Sequence, residues 1–438
     1  MRDAMEDSEV RMADRYADVV IIGGGASGLA AAAELRMSSP ELSVAVLEKN
    51  SEPGRKLRAT GSGRCNITNT SAEGYDEIME FFGRIGLMTR SYENGLVYPY
   101  SESAADVVSL LVARVTELGA DIITDAEVLS VRRGPDKPRF EVSYKAVRDG
   151  RVRDASIGAD HVILACGGKA GPSYGTTGDG YRFARELGHS VVTPVPVLTS
   201  IECREWSGGF RPDARMLAGT RTRGSVKLIR YGKGGKGTGI KIFDEQGEIQ
   251  FTRYGLSGIC VFNMTRYMRY NRSAGESLSD FVIMADLYPD GDIEDFLRGR
   301  REGAFPGEKA ADVLRTVLKE NIACYVLETA SALSGNRHLQ DRDVCALTDS
   351  EISAAAGAVH SLTFHPESLK GWKDAQATSG GVSTDEINEM TCESEIVTGL
   401  YITGELADRD YPCGGFNLSN AWLTGLRAAR AVSAEYEG

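Results

Sequence analysis

Paired cysteines, clustered histidines and long apolar runs are all missing from this sequence. The eight cysteines (Cys65, Cys166, Cys203, Cys260, Cys324, Cys345, Cys392 and Cys413) contain no CxxC pair. That scatter indicates neither a zinc knuckle nor a disulfide scaffold. The five histidines form no HxxxH or HxH pair, so no metal site is expected. Residues 1–16 alternate acidic and basic side chains with no apolar segment, so they read as a flexible tail rather than a secretory signal. The longest apolar stretch, around Leu29 to Ala33, is far short of the ~20 residues that cross a bilayer. A soluble, reduced, cytoplasmic protein without integral membrane contact is expected. Basic charge is in deficit, with 50 Lys and Arg against 62 Asp and Glu and a formal net charge of −12. That balance argues against a nucleic-acid coat or an anionic-membrane binder. Proline is scarce as well, 13 residues against 50 glycines, which implies tight turns or backbone drawn close to something bound.

What is present begins with a short apolar strand, Ala17 to Ile22, running into Gly23-Gly24-Gly25-Ala26-Ser27-Gly28 and a helical run from Leu29. This is GxGxxG in its required context, between strand and helix. Gly23 permits the turn, Gly25 lets backbone approach a pyrophosphate, and Gly28 lets the helix pack on the strand. The helix N-terminus then offers unsatisfied N–H groups to phosphate. A second strand, Ser43 to Leu47, ends at Glu48, whose carboxylate suits ribose hydroxyls and disfavours a 2′-phosphate. The next segment, Glu52 to Asn69, is glycine-rich and basic, with Arg55, Lys56 and Arg64 as donors. Such a loop can follow a pyrophosphate toward a flavin ring, which favours FAD over NAD.

On these residues the chain resembles the BaiN/RdsA family of FAD-dependent oxidoreductases, the aminoacetone-oxidase-like flavoproteins. The matching elements are GGGASGLAAA, GRKLRATGSGRCNITN, ACGGKAGPSYGTTGDGYRFARELGH, FTRYGLSG, TSGGVSTDEIN and GLYITGELADRDYPCGGFNLSNAWLTG, in family order from about residue 18 to 430. The resemblance implies an α/β architecture. A Rossmann-type, two-dinucleotide-binding-domain FAD domain spans 17–193 and 377–438, interrupted by an antiparallel β-rich substrate domain over 194–290 and 359–376. A helical insertion spans 291–358, where Ala310, Val313, Leu314, Val317 and Leu318 keep helical spacing. Short strands, Ser225–Ile229 and Ile240–Phe243, are expected in the β domain, with Gly232 to Gly237 as a hairpin loop and not a phosphate loop. The C-terminal helix is expected from Ser419 to Tyr436.

The cofactor contacts expected are Gly23, Gly25, Ala26, Ser27 and Gly28 in the first turn, and Glu48 and Lys49 after the second strand. Arg55, Lys56, Gly63, Arg64, Cys65 and Asn66 follow in the basic loop. The resemblance implies that Val128 offers its backbone to the adenine. Gly167, Gly404, Glu405, Gly415, Phe416, Asn417 and Leu418 complete the set, with FAD held non-covalently. A helix N-terminus after Cys413-Gly414-Gly415 would favour negative charge on a reduced flavin. Cys65 and Cys413 sit in loops expected to converge, but a small buried thiol without a redox role is the commoner arrangement. Tyr174, Tyr254 and Tyr411, with Cys65, are the candidates for acid/base work.

No second GxGxxG follows a strand, so either NAD(P)H visits the flavin transiently, or the substrate and another acceptor such as oxygen alternate there. The chain departs from the family at Thr252-Arg253, Ser257-Gly258-Ile259 and Asn417 to Ala421, on the expected substrate side. The reading favoured is hydride transfer through the flavin to a conjugated C=C of a bulky apolar small molecule. Flavin-dependent amine or aminoketone oxidation is the alternative, and an FAD-binding redox sensor without turnover is the reading of another class. Modification of tRNA shares the fingerprint but calls for a basic surface.

Overall fold

The structure is a computed structural model describing residues 15–134, 136–148, 151–207, 212–270, 274–336 and 338–437. The expected tail lies outside these residues up to position 14. Its last two positions, Arg15 and Tyr16, instead begin the first strand, β1 (Arg15–Ile22), opposite Ile157 and Gly158. A partner strand that starts at Arg151 supplies backbone groups for them to pair with, and paired backbone is favoured whatever the side chain.

The chain divides into two compact units, residues 1–195 with 377–438 and residues 196–376. In the first, β1 is followed by helix α1 (Ala26–Ser38) and strand β2 (Val44–Leu47). The main sheet runs in the order Asp121–Ile123, β2, β1, Arg151–Leu164, Phe140–Arg148, Ala126–Arg133, and Leu400–Ile402 pairs with Arg151–Leu164. Pairing is parallel on the side of β1 and antiparallel through the 126–164 meander. The register decides where function can sit. Leu47 pairs with Ile22, Ile22 with Leu164, and Leu164 with Ile402, so four carboxyl ends finish level. In open α/β sheets ligands bind outside those ends.

Helix α1 is buried from Ser27 through Leu35, as a helix packed between neighbours is, and its buried Glu34 is paired with Arg84 and Arg430. Its cover is the C-terminal helix Phe416–Glu437, which begins three residues before the Ser419 start expected. The first three positions join the helix because Ser419 N–H bonds the Gly415 carbonyl. Among the described residues no helix is long and apolar enough to cross a membrane.

The second unit is built on a seven-stranded antiparallel sheet, ordered Leu362–Phe364, Phe281–Asp286, Arg221–Gly232, Lys236–Phe251, Gly255–Ser257, Ile201–Cys203, Pro366–Leu369. Where short strands were expected, Arg221–Gly232 and Lys236–Phe251 form one long hairpin. Bulges after Leu228 and Arg230 break the side-chain alternation but not the backbone ladder. Gly232 pairs with Lys236 across the tip, so the glycine run is a hairpin turn. The helices Ile293–Glu302, Ala310–Leu314, Glu320–Ser334 and Asp349–His360 share one core with the sheet: Leu297, Leu314, Val326 and Ile352 pack in the same cluster as Val226 and Leu228.

Candidate functional site

The turn after β1 is shaped by what cannot fit there. Gly23 has φ +110°, and a Cβ on Gly28 would overlap the Gly23 carbonyl oxygen. A Cβ on Gly25 would meet nothing within 4 Å, so this glycine faces open space rather than protein. The first intrahelical bond of α1 runs from Leu29 N–H to the Gly25 carbonyl, 2.9 Å. The amides of Ala26, Ser27 and Gly28 therefore precede the helical ladder, as an anion cradle requires.

Glu48, 7% exposed, is already at work in this turn. Its Oε2 accepts from Gly24 N–H at 2.9 Å, and its Oε1 accepts from Asn50 N–H at 2.8 Å and Asn50 Nδ2 at 2.6 Å. The carboxylate thus fixes the glycine turn from below. Lys49 reaches the residues leading into the helix Asp179–Glu186, donating to Thr177 Oγ1 and Asp179 Oδ2, both at 2.6 Å.

The basic loop is anchored by its side chains at Arg55 and Lys56. Arg55 donates to Asn50 Oδ1 at 3.0 Å and to the Ser173 carbonyl at 3.3 Å. Lys56 pairs with Glu405 Oε2 at 2.5 Å, across 349 positions of sequence. Arg64 is exposed, 5.0 Å from the centre of the Tyr98 ring and 3.8 Å from Glu102. Gly63, with φ +85°, opens onto free space. Cys65 is fully buried, and burial pushes its thiol up to about 12, against a smaller downward pull from Thr60. Burial that opposes ionisation makes a thiol a poor nucleophile near neutral pH.

Asn66 Oδ1 is buried with no hydrogen-bond partner, an acceptor able to take a further donor. Its loop meets the segment before the C-terminal helix. A Cβ on Gly415 would sit 2.7 Å from the Thr68 carbonyl group and 3.2 Å from Asn66 Nδ2. Thr68 and Ser419 share a hydroxyl hydrogen bond of 2.7 Å, Asn69 Nδ2 donates to the Gly414 carbonyl, and Trp422 Nε1 donates to the Ile67 carbonyl. The loops holding Cys65 and Cys413 do converge, yet no disulfide joins them.

Phe416, Asn417 and Leu418 form the first turn of the C-terminal helix. The Asn417 side chain, expected to face the cofactor, is spent on its own loop. It accepts from Tyr411 N–H and donates to the Tyr411 and Pro412 carbonyls, at 3.2, 2.8 and 3.3 Å. Gly167 and Gly404 take φ +67° and +63° at the ends of their strands, and Gly404 N–H donates to Thr424 Oγ1. Val128 lies opposite Tyr144, where the ladder shifts register.

The tyrosine candidates separate. Tyr174 is exposed, and Tyr411 is half-buried, with burial raising its phenol further above the ordinary range. Tyr254 belongs to the second unit, where Lys370 Nζ stands 3.9 Å from its ring centre. No group of three or more metal-ligating side chains occurs among the described residues. Sequence reasoning missed Asn50, Thr177 and Thr378, all polar side chains at the carboxyl edge. A hydroxyl or amide in a glycine-rich loop gives no periodic signal to find it by.

The open face at Gly25, the free amides of α1, the orphaned Asn66 acceptor and the carboxylates of Glu48 and Glu405 fit an extended dinucleotide such as FAD. Comparison with known proteins bears on the same question. The model of the HI0933-like protein Rossmann domain matches residues 17–76 and 74–431. The 3-dehydro-bile acid delta(4,6)-reductase of Clostridium scindens is 32% identical over 435 residues, covering 94% of this chain and 98% of the relative. A ribosomal RNA dihydrouridine synthase of Haemophilus influenzae is 25% identical over 439 residues, covering 96% and 99%. Among solved structures, the 3-ketosteroid delta1-dehydrogenase from Sterolibacterium denitrificans aligns with a TM-score of 0.50 at 14% identity, over 96% of this chain and 100% of that one. That likeness speaks to the fold alone. The chain belongs to the HI0933-like (BaiN/RdsA) family and is a Rossmann-fold flavoprotein oxidoreductase.

Proposed function

We propose that this protein is an FAD-dependent reductase that saturates a C=C bond conjugated to a carbonyl in a bulky apolar small molecule, with NAD(P)H as the donor. The observation that carries the reading is the near full-length similarity to a bile acid delta(4,6)-reductase. Two relatives named as dihydrouridine synthases support the same bond class, because uridine also presents a C=C bond conjugated to a carbonyl. FAD, when bound, supplies hydride transfer. The chain supplies the rest. The amides of Ala26, Ser27 and Gly28 would hold the diphosphate, Glu48 the ribose, and Glu405 with Lys56 the polyol chain. The N-terminus of the 22-residue C-terminal helix favours negative charge at the residues it faces. Tyr411, held neutral by burial, is a phenol able to give a proton. The free state of all eight cysteines suits a reducing, cytoplasmic setting.

The test is spectroscopic. Purified protein with bound FAD should bleach anaerobically with NADH or NADPH and regain its oxidised spectrum on addition of a steroid-like enone. Re-oxidation by oxygen alone, with bleaching driven by amines, would refute the reductase reading and leave an oxidase. A second reading rests on charge placement. Between Arg221 and Phe243 the chain carries seven Lys or Arg and no Asp or Glu, despite a net charge of −12. Arg223, Lys227, Lys233 and Lys236 make no ion pair among the described residues. Reduction of a base in RNA would use such a hairpin for phosphate contacts. RNA binding that weakens steeply with salt, alongside enone inactivity, would favour it.

A further inference from the structure

The carboxylate of Glu405 is held on both sides. Lys56 Nζ takes Oε2 at 2.5 Å, and the backbone N–H of Thr378 donates to Oε1 at 2.8 Å. Thr378 lies in the fully buried strand Ala377–Val382 and is itself 1% exposed. Its hydroxyl oxygen does a second job, accepting from Lys169 N–H at 2.9 Å and Ala170 N–H at 3.1 Å. Those amides belong to the turn that leaves the strand Arg151–Leu164. The fit there has no slack, since a Cβ on Gly168 would overlap Thr378 Oγ1 and lie 2.7 Å from Glu405 Oε1. One threonine thus joins three segments at the carboxyl edge of the sheet: the 168–170 turn, its own strand, and the Gly404–Leu406 turn that carries Glu405.

We infer that Thr378 is a positioning residue for the cofactor, setting Glu405 as a fixed acceptor for a hydroxyl of the FAD polyol chain. The inference rests on the proposal that Glu405 faces that chain. Backbone N–H holds the carboxylate in any residue type, so the identity of residue 378 enters through its hydroxyl. Without it, the buried Ala170 amide and the half-buried Lys169 amide lose their acceptor, and the 168–170 turn, which packs Gly168 against Glu405 Oε1, relaxes. A buried donor stripped of its partner is destabilising, and each 1.4 kcal/mol that reaches the binding equilibrium is about tenfold in affinity.

The test measures FAD dissociation constants by flavin fluorescence on the full-length protein, stripped and reloaded. Thr378→Val, nearly the same shape, should weaken FAD by about tenfold or more, and Thr378→Ser, which keeps the oxygen, should restore affinity to within about threefold. If Thr378 acts through Glu405, Thr378→Val added to Glu405→Gln should change affinity far less than it does alone. Equal losses in both backgrounds, or Val binding FAD as tightly as the parent, would overturn the inference. A lower melting temperature of the apo-protein with unchanged FAD affinity would also overturn it, leaving Thr378 a packing residue. Thr378→Ala, read with and without Glu405→Gln, keeps the test intact if the valine protein does not fold. Failure of the flavin-site reading looks different, because the parent protein itself would take up no FAD.

Discussion

Replacing Glu48 tests the first turn and the cofactor reading together. Its carboxylate accepts three N–H groups, one from Gly24 and two from Asn50, in a site only 7% exposed. Glu48→Ala removes all three acceptors. Asn50 is half-buried and can turn to water, but the Gly24 N–H lies beneath the turn and cannot. Losing one charge-assisted hydrogen bond there costs about 1.5–3 kcal/mol, which lowers the melting temperature by about 2–4 °C per kcal/mol in a domain of this size. Glu48→Gln is the sharper variant. Its amide keeps one oxygen, so one of the two donor sets must face an NH2 group, and about half the loss should remain. If the same carboxylate receives ribose hydroxyls, FAD affinity falls by about tenfold to a hundredfold in the alanine variant. Flavin fluorescence titration of the apo-protein, beside thermal melts with and without FAD, measures both effects. A destabilised protein that still binds FAD at parental affinity would refute the ribose assignment and leave Glu48 as a brace for Gly24.

Other positions give independent checks. Gly425→Ala would push a methyl group into the Ser27 carbonyl, with the Ser27 Cα only 3.2 Å away. Backbone cannot step aside, so overpacking of about 1–3 kcal/mol should appear in melts, with weaker FAD binding because the first turn of α1 moves. His189 is held below its ordinary pKa by burial, against an opposing pull from Glu386. Its unfolded value is about 6.5, so the unfolded chain binds the extra proton first as pH falls. The contribution of His189 is full above about pH 6.5 and declines below it. Melts between pH 7.5 and 5.5 (an approximate range bracketing that value) should show a shallower slope for His189→Gln, and an identical slope would refute the assignment. Cys65 should resist alkylation in the native protein while exposed Cys345 reacts, as peptide mapping would show. Rapid labelling of Cys65 would contradict its buried, protonated state.

How much was legible depended on whether the determinant is local. Gly23, Gly28 and Glu48 were readable because a turn, a close contact and a strand-end acid each fix residue type at a fixed offset. The Lys56–Glu405 pair was not, because 349 residues separate its members and nothing in either segment names the other. Asn417 shows a second kind of non-local detail. Its position in a glycine-rich motif suggested a cofactor contact, and nothing in that motif announced that its side chain also closes residues 411–412. The long hairpin was read as short pieces because bulges interrupt the alternation while leaving backbone pairing in place.

The C-terminal helix also sets an order of events. It covers α1, clamps Ile67 and Thr68, and supplies the hydroxyl that holds Gly404. During synthesis, residues 15–195 emerge with that face of α1 bare, and the whole 196–376 unit must follow before any cover is made. The second unit has its own core and can fold while the first still waits. A chain cut short before residue 416 would leave the face of α1 around Ser27 bare, a surface prone to aggregate.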